Sequence, residues 1–572
     1  MIESTHSSRE REQVRAVRES GRTTVLVIGA GINGIATFRD LALQGVDVLL
    51  VERGDFASGA SSASSHMIHG GIRYLENGEF RLVRESVQER NGLLKIAPHY
   101  VKPLQTTIPI YSTFSGILSA PLRFLTHRSG KPQERGAFLI KVGLTIYDTF
   151  SRDGGVVPRH RFLGRRRSLA ELPSLDPGIK YTATYYDASM HDPERLALDV
   201  LQDGRAAHPG AIALNYVEAA GRSGDGVLLR DLESGTEFTV SADVVVNASG
   251  PWTDLTNEAL GEDTRFMGGT KGSHIVLDHP ELLDATGGRE IFFEHSDGRI
   301  VLIYPLKGRV LVGTTDIDAD PRENPVCTDE EIDYFFELIH HVFPSIPVSR
   351  DQIVYTFSGI RPLPRHEDTA PGFVSRDYRI EVDKAGRVPL VSLVGGKWTT
   401  FRALGESLSD VVLGLIGRTR SVSTVGRAIG GGEGFPRTAR ARHSWVEQNL
   451  SGAGERAERL LTRYGTRAAQ VWGFIQDGDD APLAGGDLST RELAWMIEHE
   501  HAVRLQDVVL RRTSLAFTGD VDIDVLTELA DAMAPLLGWD AARRDAELEG
   551  ARTLLNDRHG LELPALPSHL EG

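Results

Sequence analysis

A chain of 572 residues exceeds what one hydrophobic core organises, so two or three domains are expected. Hydrophobic residues at 40% and charged residues at 25% match a soluble globular chain and exclude a disordered one. The formal charge of −16 argues against nucleic acid, although a local basic patch can still meet a membrane surface or a small anion. One cysteine, Cys327, rules out an intrachain disulfide, an iron–sulfur cluster or a structural zinc site and suits a reducing compartment.

Residues 1–22 are charged and Ser-rich without an apolar core, and read as a loose polar arm. From Thr23 the run TTVLVIGAG reads as a strand ending in glycines. INGIATFRDLALQG then reads as an amphipathic helix closed by Gly45, and VDVLLVE as a second strand ending at Glu52. Gly29, Gly31 and Gly34 stand in G-x-G-x-x-G spacing, so the unit predicts dinucleotide binding. The glycines bring backbone close to a pyrophosphate at the helix N-terminus, and Glu52 accepts from ribose hydroxyls.

No segment reads as a membrane span. Pro103 to Leu122 lacks charge, but prolines at 103, 109 and 121 would leave backbone groups unpaired in lipid. Further on, ADVVVNASGPW (242–252) and VPLVSLVGGKWTTFRALGESLSDVV (388–412) read as strands running into glycines. Between them SHIVLD, RIVLIYPL and RVLVGTTDID alternate and predict an antiparallel sheet of a second domain. The glycine-rich stretch GRAIGGGEGFPR reads as a linker, and the chain beyond it reads as helical.

The segment GDFASGASSASSHMIHGGIRYLENGEFRLVRES (54–86) clusters small hydroxyl residues before His69-Gly70-Gly71 and Arg73-Tyr74, the make-up of a close approach to a flat polar ligand. With APHYVKPL, ASGPW, KGSHIV, GTTD, YTFSGIRPL, SRDY, GGKWTTFR and WMIEHEHAVRLQDVVLRRT, the chain after residue 23 resembles the FAD-dependent, quinone-linked glycerol-3-phosphate dehydrogenases of the D-amino-acid-oxidase-like flavoprotein group.

The resemblance implies an α/β fold: a Rossmann-like FAD-binding domain, an antiparallel-sheet substrate domain and an all-α C-terminal domain. The expected division is a polar N-terminal arm (1–22), a discontinuous FAD-binding domain (23–100, 190–260 and 355–425), a substrate-binding domain (101–189 and 261–354) and a helical domain (426–572). It further implies that Gly29, Gly31, Asn33, Gly34 and Glu52 hold the ADP half of non-covalent FAD. Ser61, Ser62, Ser65, His69 and Gly70 would line the flavin and its phosphates, with Ala248 and Gly250 close by and Lys397, Trp398 and Thr399 at the pyrimidine end. Arg73, Arg361, Arg376 and Lys397 look like a substrate-anion cluster, with Tyr74 and Thr314 as hydrogen-bonding neighbours. Guanidinium donors suit a phosphate dianion. His66 stands where the family usually has Lys, and the segment 110–135 carries extra residues.

The implied reaction moves hydride from C2 of sn-glycerol 3-phosphate to FAD, giving dihydroxyacetone phosphate, with electrons passed to a quinone. Alternatives are a related polyol phosphate such as erythritol phosphate, oxygen as acceptor, or a flavin-binding module without turnover. The proton at the C2 hydroxyl needs an acceptor near neutral pH, which guanidinium groups do not offer. His274, in KGSHIV, has a suitable intrinsic pKa and is expected as the base, with Arg361 as its electrostatic partner; the competing reading is a histidine hydrogen-bonded within the sheet. No metal is expected, and EHEH (498–501) reads as ordinary histidines. Arg165-Arg166-Arg167 reads as a solvated loop or, with the segment 108–125, as a contact with anionic lipid. A cytoplasmic location, at most peripheral on the inner face of the cell membrane, and a homodimer fit these expectations.

Overall fold

The computed structural model describes residues 10–71, 80–113, 158–294, 300–365 and 377–566, together with 140, 141, 143–145, 147 and 148. Of the expected loose arm, residues 1–9 lie outside the described residues and the rest is corrected. Helix α1 (Glu12–Ser20) forms because Val14 and Val17 share one buried face, and Gly21 at φ +60° stops it. Arg11, just ahead of it, donates to Asn215 and Asp231, which ties the segment to the body.

Strand β1 (Arg22–Ile28), helix α2 (Ile32–Leu43) and strand β2 (Val48–Val51) form the β-α-β unit expected from the glycine spacing. The chain then leaves for a second sheet through β3 (Met67–Ile68), α3 (Phe80–Ile96), β4 (Val101–Ile110), β5 (Arg161–Gly164) and β6 (Tyr181–Met190). It returns with helix Pro193–Ala207 and β7 (Ala211–Leu214), adds β8 (Val217–Ser223) and β9 (Gly226–Asp231), and re-enters the first sheet with β10 (Glu237–Asn247). The second sheet is completed by β11 (Met267–Leu277), β12 (Glu290–Glu294), β13 (Ile300–Leu306), β14 (Arg309–Gly313), β15 (Ile317–Asp318) and β16 (Ile353–Pro364). β17 (Arg379–Ala385) and β18 (Val388–Val394) close the first.

In the first sheet the order is β17-β18-β10-β1-β2-β7, parallel from β18 to β7 with β17 antiparallel at the edge. In the second it is β15-β11-β14-β13-β12-β4-β6-β3, with β16 beside β11 and β5 beside β6. That sheet is antiparallel apart from the parallel pair β4–β12. Its strands alternate between two apolar layers: Val301 and Ile303 pack with helix Asp329–Val342, whereas Leu302, Tyr304 and Leu306 pack with the C-terminal helices. Both faces are therefore covered, and the second sheet is the floor on which the C-terminal domain rests.

Two further readings change. The glycine run 430–432, expected as a linker, is a packed wedge. A Cβ at Gly431 would strike the Tyr464 carbonyl, and one at Gly432 the Ile96 carbonyl. Arg165-Arg166-Arg167, expected in a loop, open the helix Arg165–Glu171 and are exposed there.

Candidate functional site

The turn between β1 and α2 is a backbone cradle. Gly29 sits at φ +100°, and a Cβ there would lie 2.7 Å from the Ser249 Cα. At Gly34 a Cβ would collide with the Gly29 carbonyl oxygen, so the helix can start this close to the strand only with glycine. The Glu52 carboxylate accepts from the N–H of Ala30 at 2.8 Å and of Gly54 at 2.9 Å, so it also holds the turn itself. Burial raises the Glu52 pKa, and those two N–H groups work against the rise. Asn33 Oδ1, in the first turn of α2, is buried with no hydrogen-bond partner among the described residues. A cradle that a Cβ at Gly29 or Gly34 would fill, at the N-terminus of a helix, fits the pyrophosphate of the ADP half of FAD.

From β2 the loop 53–66 crosses to the second sheet, and its serines divide the work. Ser61 Oγ accepts from Ile32 N–H at 2.9 Å at the start of α2, while its carbonyl accepts from Trp398 Nε1 at 2.9 Å. Ser62 turns inward and donates to the Gly59 carbonyl. Ser65 Oγ lies 2.8 Å from His274 Nε2, so one serine of the cluster serves the candidate base. Beyond β3, Gly70 N–H donates to Asp187 Oδ1 at 2.9 Å, and Thr399 Oγ1 donates to the His69 carbonyl at 3.4 Å. Ala248 N–H continues the sheet to Ile28, and Gly250 at φ +65° turns the chain away from the cradle.

Gly395 and Gly396 end β18 at φ +90° and +117°, and a Cβ on Gly396 would strike Asn33 Nδ2. That close approach delivers Lys397 to a cavity of about 160 Å³ shared with His69, Arg361, Pro362, Leu363, Pro364, Gly395 and Gly396. Arg361, on β16, donates to Thr314 Oγ1 at 2.9 Å and to the Thr315 carbonyl at 2.8 Å, and pairs with Asp316 at 3.0 Å. His274, on β11, lies opposite Gly313, the residue before Thr314, and stacks on Phe357 at 4.6 Å and 8°. Burial, with Arg361 and His66 adding to it, holds the His274 pKa well below the usual histidine range. The imidazole is therefore neutral at pH 7, and its Nδ1 has no partner among the described residues.

His69, Arg361 and Lys397 thus share one cavity, with Thr314 bonded to Arg361 and His274 close behind it. Arg73, Tyr74 and Arg376 lie outside the described residues. Three supports escaped sequence reasoning. Asp187, beneath Gly70, is buried with Arg90 at 2.8 Å and Tyr147 at 2.7 Å. Glu331, from the first turn of its helix, accepts from Ser273, Thr315 and Lys271 and fixes the strands flanking His274. Asp55 is buried against Arg511 and Arg512. The one local signal for the first was a carboxylate inside the β-forming run TYYDASM; the others depend on residues far apart in the chain.

The EHEH run and the lone cysteine take structural places. Glu500 pairs with Arg195, and the His499 ring packs 3.9 Å from Trp495. Burial pushes the Cys327 thiol up to about 12, which leaves it unreactive.

Known proteins resemble the chain over most of its length. A family model described as FAD dependent oxidoreductase matches residues 24–403, and one described as C-terminal domain of alpha-glycerophosphate oxidase matches 422–544. A glycerol-3-phosphate dehydrogenase of Synechocystis is 34% identical over 559 residues, covering 92% of this chain and 95% of that protein. A D-erythritol 1-phosphate dehydrogenase of Brucella abortus is 33% identical over 509 residues, covering 86% of this chain and 93% of that protein. Among solved structures, a glycerol-3-phosphate dehydrogenase from Bacillus halodurans complexed with FAD shares the fold. Its TM-score is 0.72 at 24% identity, over 95% of this chain and 96% of that one.

Proposed function

Since the chain belongs to the FAD-dependent glycerol-3-phosphate dehydrogenase family, we propose that it oxidises sn-glycerol 3-phosphate to dihydroxyacetone phosphate and passes the electrons to a quinone. The observation that carries this reading is the cavity lined by Arg361 and Lys397, with Arg361 close enough to His274 to lower its pKa. FAD, when bound, supplies the hydride acceptor. Gly29, Gly31, Asn33, Gly34 and Glu52 would hold its ADP half, and Lys397, Trp398 and Thr399 its far end.

The chain supplies the rest. Lys397 and Arg361 bind and orient the anionic substrate, and Arg361 lowers the energy of negative charge developing at the substrate oxygen. With Nε2 engaged by Ser65, His274 Nδ1 keeps a lone pair for the hydroxyl proton. The low pKa keeps that lone pair available across the neutral range and makes the protonated state short-lived.

A second reading, erythritol phosphate as donor, is favoured by the 33% identity to the Brucella abortus relative. Anaerobic bleaching of the flavin by a panel of polyol phosphates separates the two. Fast bleaching by glycerol 3-phosphate supports the first reading, faster bleaching by the erythritol phosphate supports the second, and bleaching by neither overturns both. Reoxidation by a short-chain quinone as against oxygen then tests the acceptor.

A quinone acceptor calls for contact with a bilayer, and no described helix is long and apolar enough to cross one. Of the two surfaces expected to touch lipid, most of 108–125 lies outside the described residues. Arg165-Arg166-Arg167 is exposed. Flotation with anionic liposomes, reversed by high salt, would support a contact there; no flotation at low salt would remove it.

A further inference from the structure

The loop 53–66 carries Ser61 and Ser65, yet it has almost no regular secondary structure of its own. Its rigidity comes from elsewhere, and three of its side chains rest on one short stretch of the C-terminal domain. At its start, Asp55 is fully buried and meets Arg512, with Nη2 at 2.9 Å from Oδ1, and Arg511 on its second oxygen. Next to it, Phe56 meets the His501 ring edge-on at 6.2 Å. At its end, His66 sits at φ +53° with its ring buried 5.1 Å from Phe517. Both bracing points leave the intervening backbone little freedom, and the Tyr304 hydroxyl fixes the carbonyls of Ser65 and His66 from below.

We infer that the C-terminal domain is a working part of the active site: through Phe517 on His66 it sets the position of Ser65 against His274. This rests on His274 acting as the proposed base. Phe517 touches neither substrate nor cofactor in this scheme and is a positioning residue. Its ring is only partly buried and also packs against Tyr355, 6.0 Å away, whose neighbour Phe357 stacks on His274. Two routes therefore run from one phenyl ring to the base, one through the loop and one through β16. Displacing a catalytic group by about 1 Å costs on the order of 100-fold in rate.

The test uses the full FAD-loaded chain as parent, Phe517→Ala and Phe517→Leu. Phe517→Ala is expected to raise amide hydrogen exchange at least tenfold in peptides covering 58–68. It should also lower the rate of flavin reduction by glycerol 3-phosphate about tenfold or more, with KM within about twofold and the acid limb of the pH profile displaced. Phe517→Leu, which keeps most of the packing volume, is expected to restore most of both. Exchange that stays at the parent level in Phe517→Ala overturns the clamp. Looser exchange with an unchanged rate and pH profile overturns the positioning role. A parent whose flavin no polyol phosphate reduces refutes the proposed reaction instead, and the exchange measurement still decides whether the clamp exists.

Discussion

At the glycine cradle proposed for the nucleotide, backbone packed against backbone sets the shape, and the carboxylate and hydroxyl that hold it bind backbone N–H groups. Gly34 lets α2 start against Gly29, Glu52 binds two N–H groups, and Ser61 binds a third. At the end proposed for the substrate, His274, Thr314 and Arg361 come from β11, the end of β14 and β16, and act through side chains held by other side chains. One end is closed to any added atom, whereas the other depends on single functional groups and on buried charges being matched. The two ends should therefore fail differently when changed.

The largest effect belongs to the substrate end. His274→Gln is expected to slow flavin reduction by roughly 10²–10⁴-fold, the scale of a lost general base, and to remove the acidic limb of the pH profile. Binding of glycerol 3-phosphate, followed by titration of the oxidised protein, should change little. Stopped-flow reduction at the parent rate would reduce His274 to a structural histidine and take the chemical meaning out of the contrast.

Next is the joint between the two kinds of architecture. Burial pushes the Asp55 carboxyl up, and Arg512 and Arg511 outweigh that and hold it well below the usual carboxylate range. Arg512→Met leaves that carboxylate half-matched, and unfolding stability should fall by about 3–5 kcal/mol. Denaturant titration checks it. A loss under about 1 kcal/mol would mean that Arg511 alone suffices.

Gly34→Ala probes the backbone end. The new methyl must push α2 away from the Gly29 carbonyl, an overpacking of about 1–3 kcal/mol. If that strain falls on the cofactor cradle, FAD affinity drops by about 10- to 100-fold while the pH profile of the remaining holoenzyme is unchanged. Fluorescence titration of the stripped protein with FAD would show it, and parent affinity would contradict the cradle.

The smallest effect is graded. Burial lowers His66 to about 4 and holds His274 well below its ordinary value, so both are neutral in the folded chain at pH 6. The unfolded chain takes up protons on both as pH falls through about 6.5. Stability therefore decreases from that point downward, by at most about 1.4 kcal/mol per pH unit for each histidine. For His66 the slope ends near pH 4, where the folded state also binds the proton. Melting temperatures measured between pH 7 and 5 should show the decline, and His66→Phe should make it shallower. An equal decline in that variant would shift the origin to other groups, such as His501, which burial also holds low.

Local pattern carried the β-α-β unit, the glycine cradle with Glu52, the antiparallel second sheet and the helical C-terminus. Each is written in the period of apolar residues or in a spacing of glycines that contiguous chain can express. The candidate base was legible as a residue type in KGSHIV, and its partner Ser65 only as one hydroxyl among several. Tertiary structure alone decided that Ser65 meets His274, that α1 forms on Val14 and Val17, and that the glycine run 430–432 is a wedge. It alone also set Arg511 and Arg512 on Asp55, more than 450 residues away in the chain. A glycine run is the same string whether water or the Tyr464 carbonyl stands beside it. A buried carboxylate likewise says only that a cation must come, because burial without a matched charge is too unfavourable to persist.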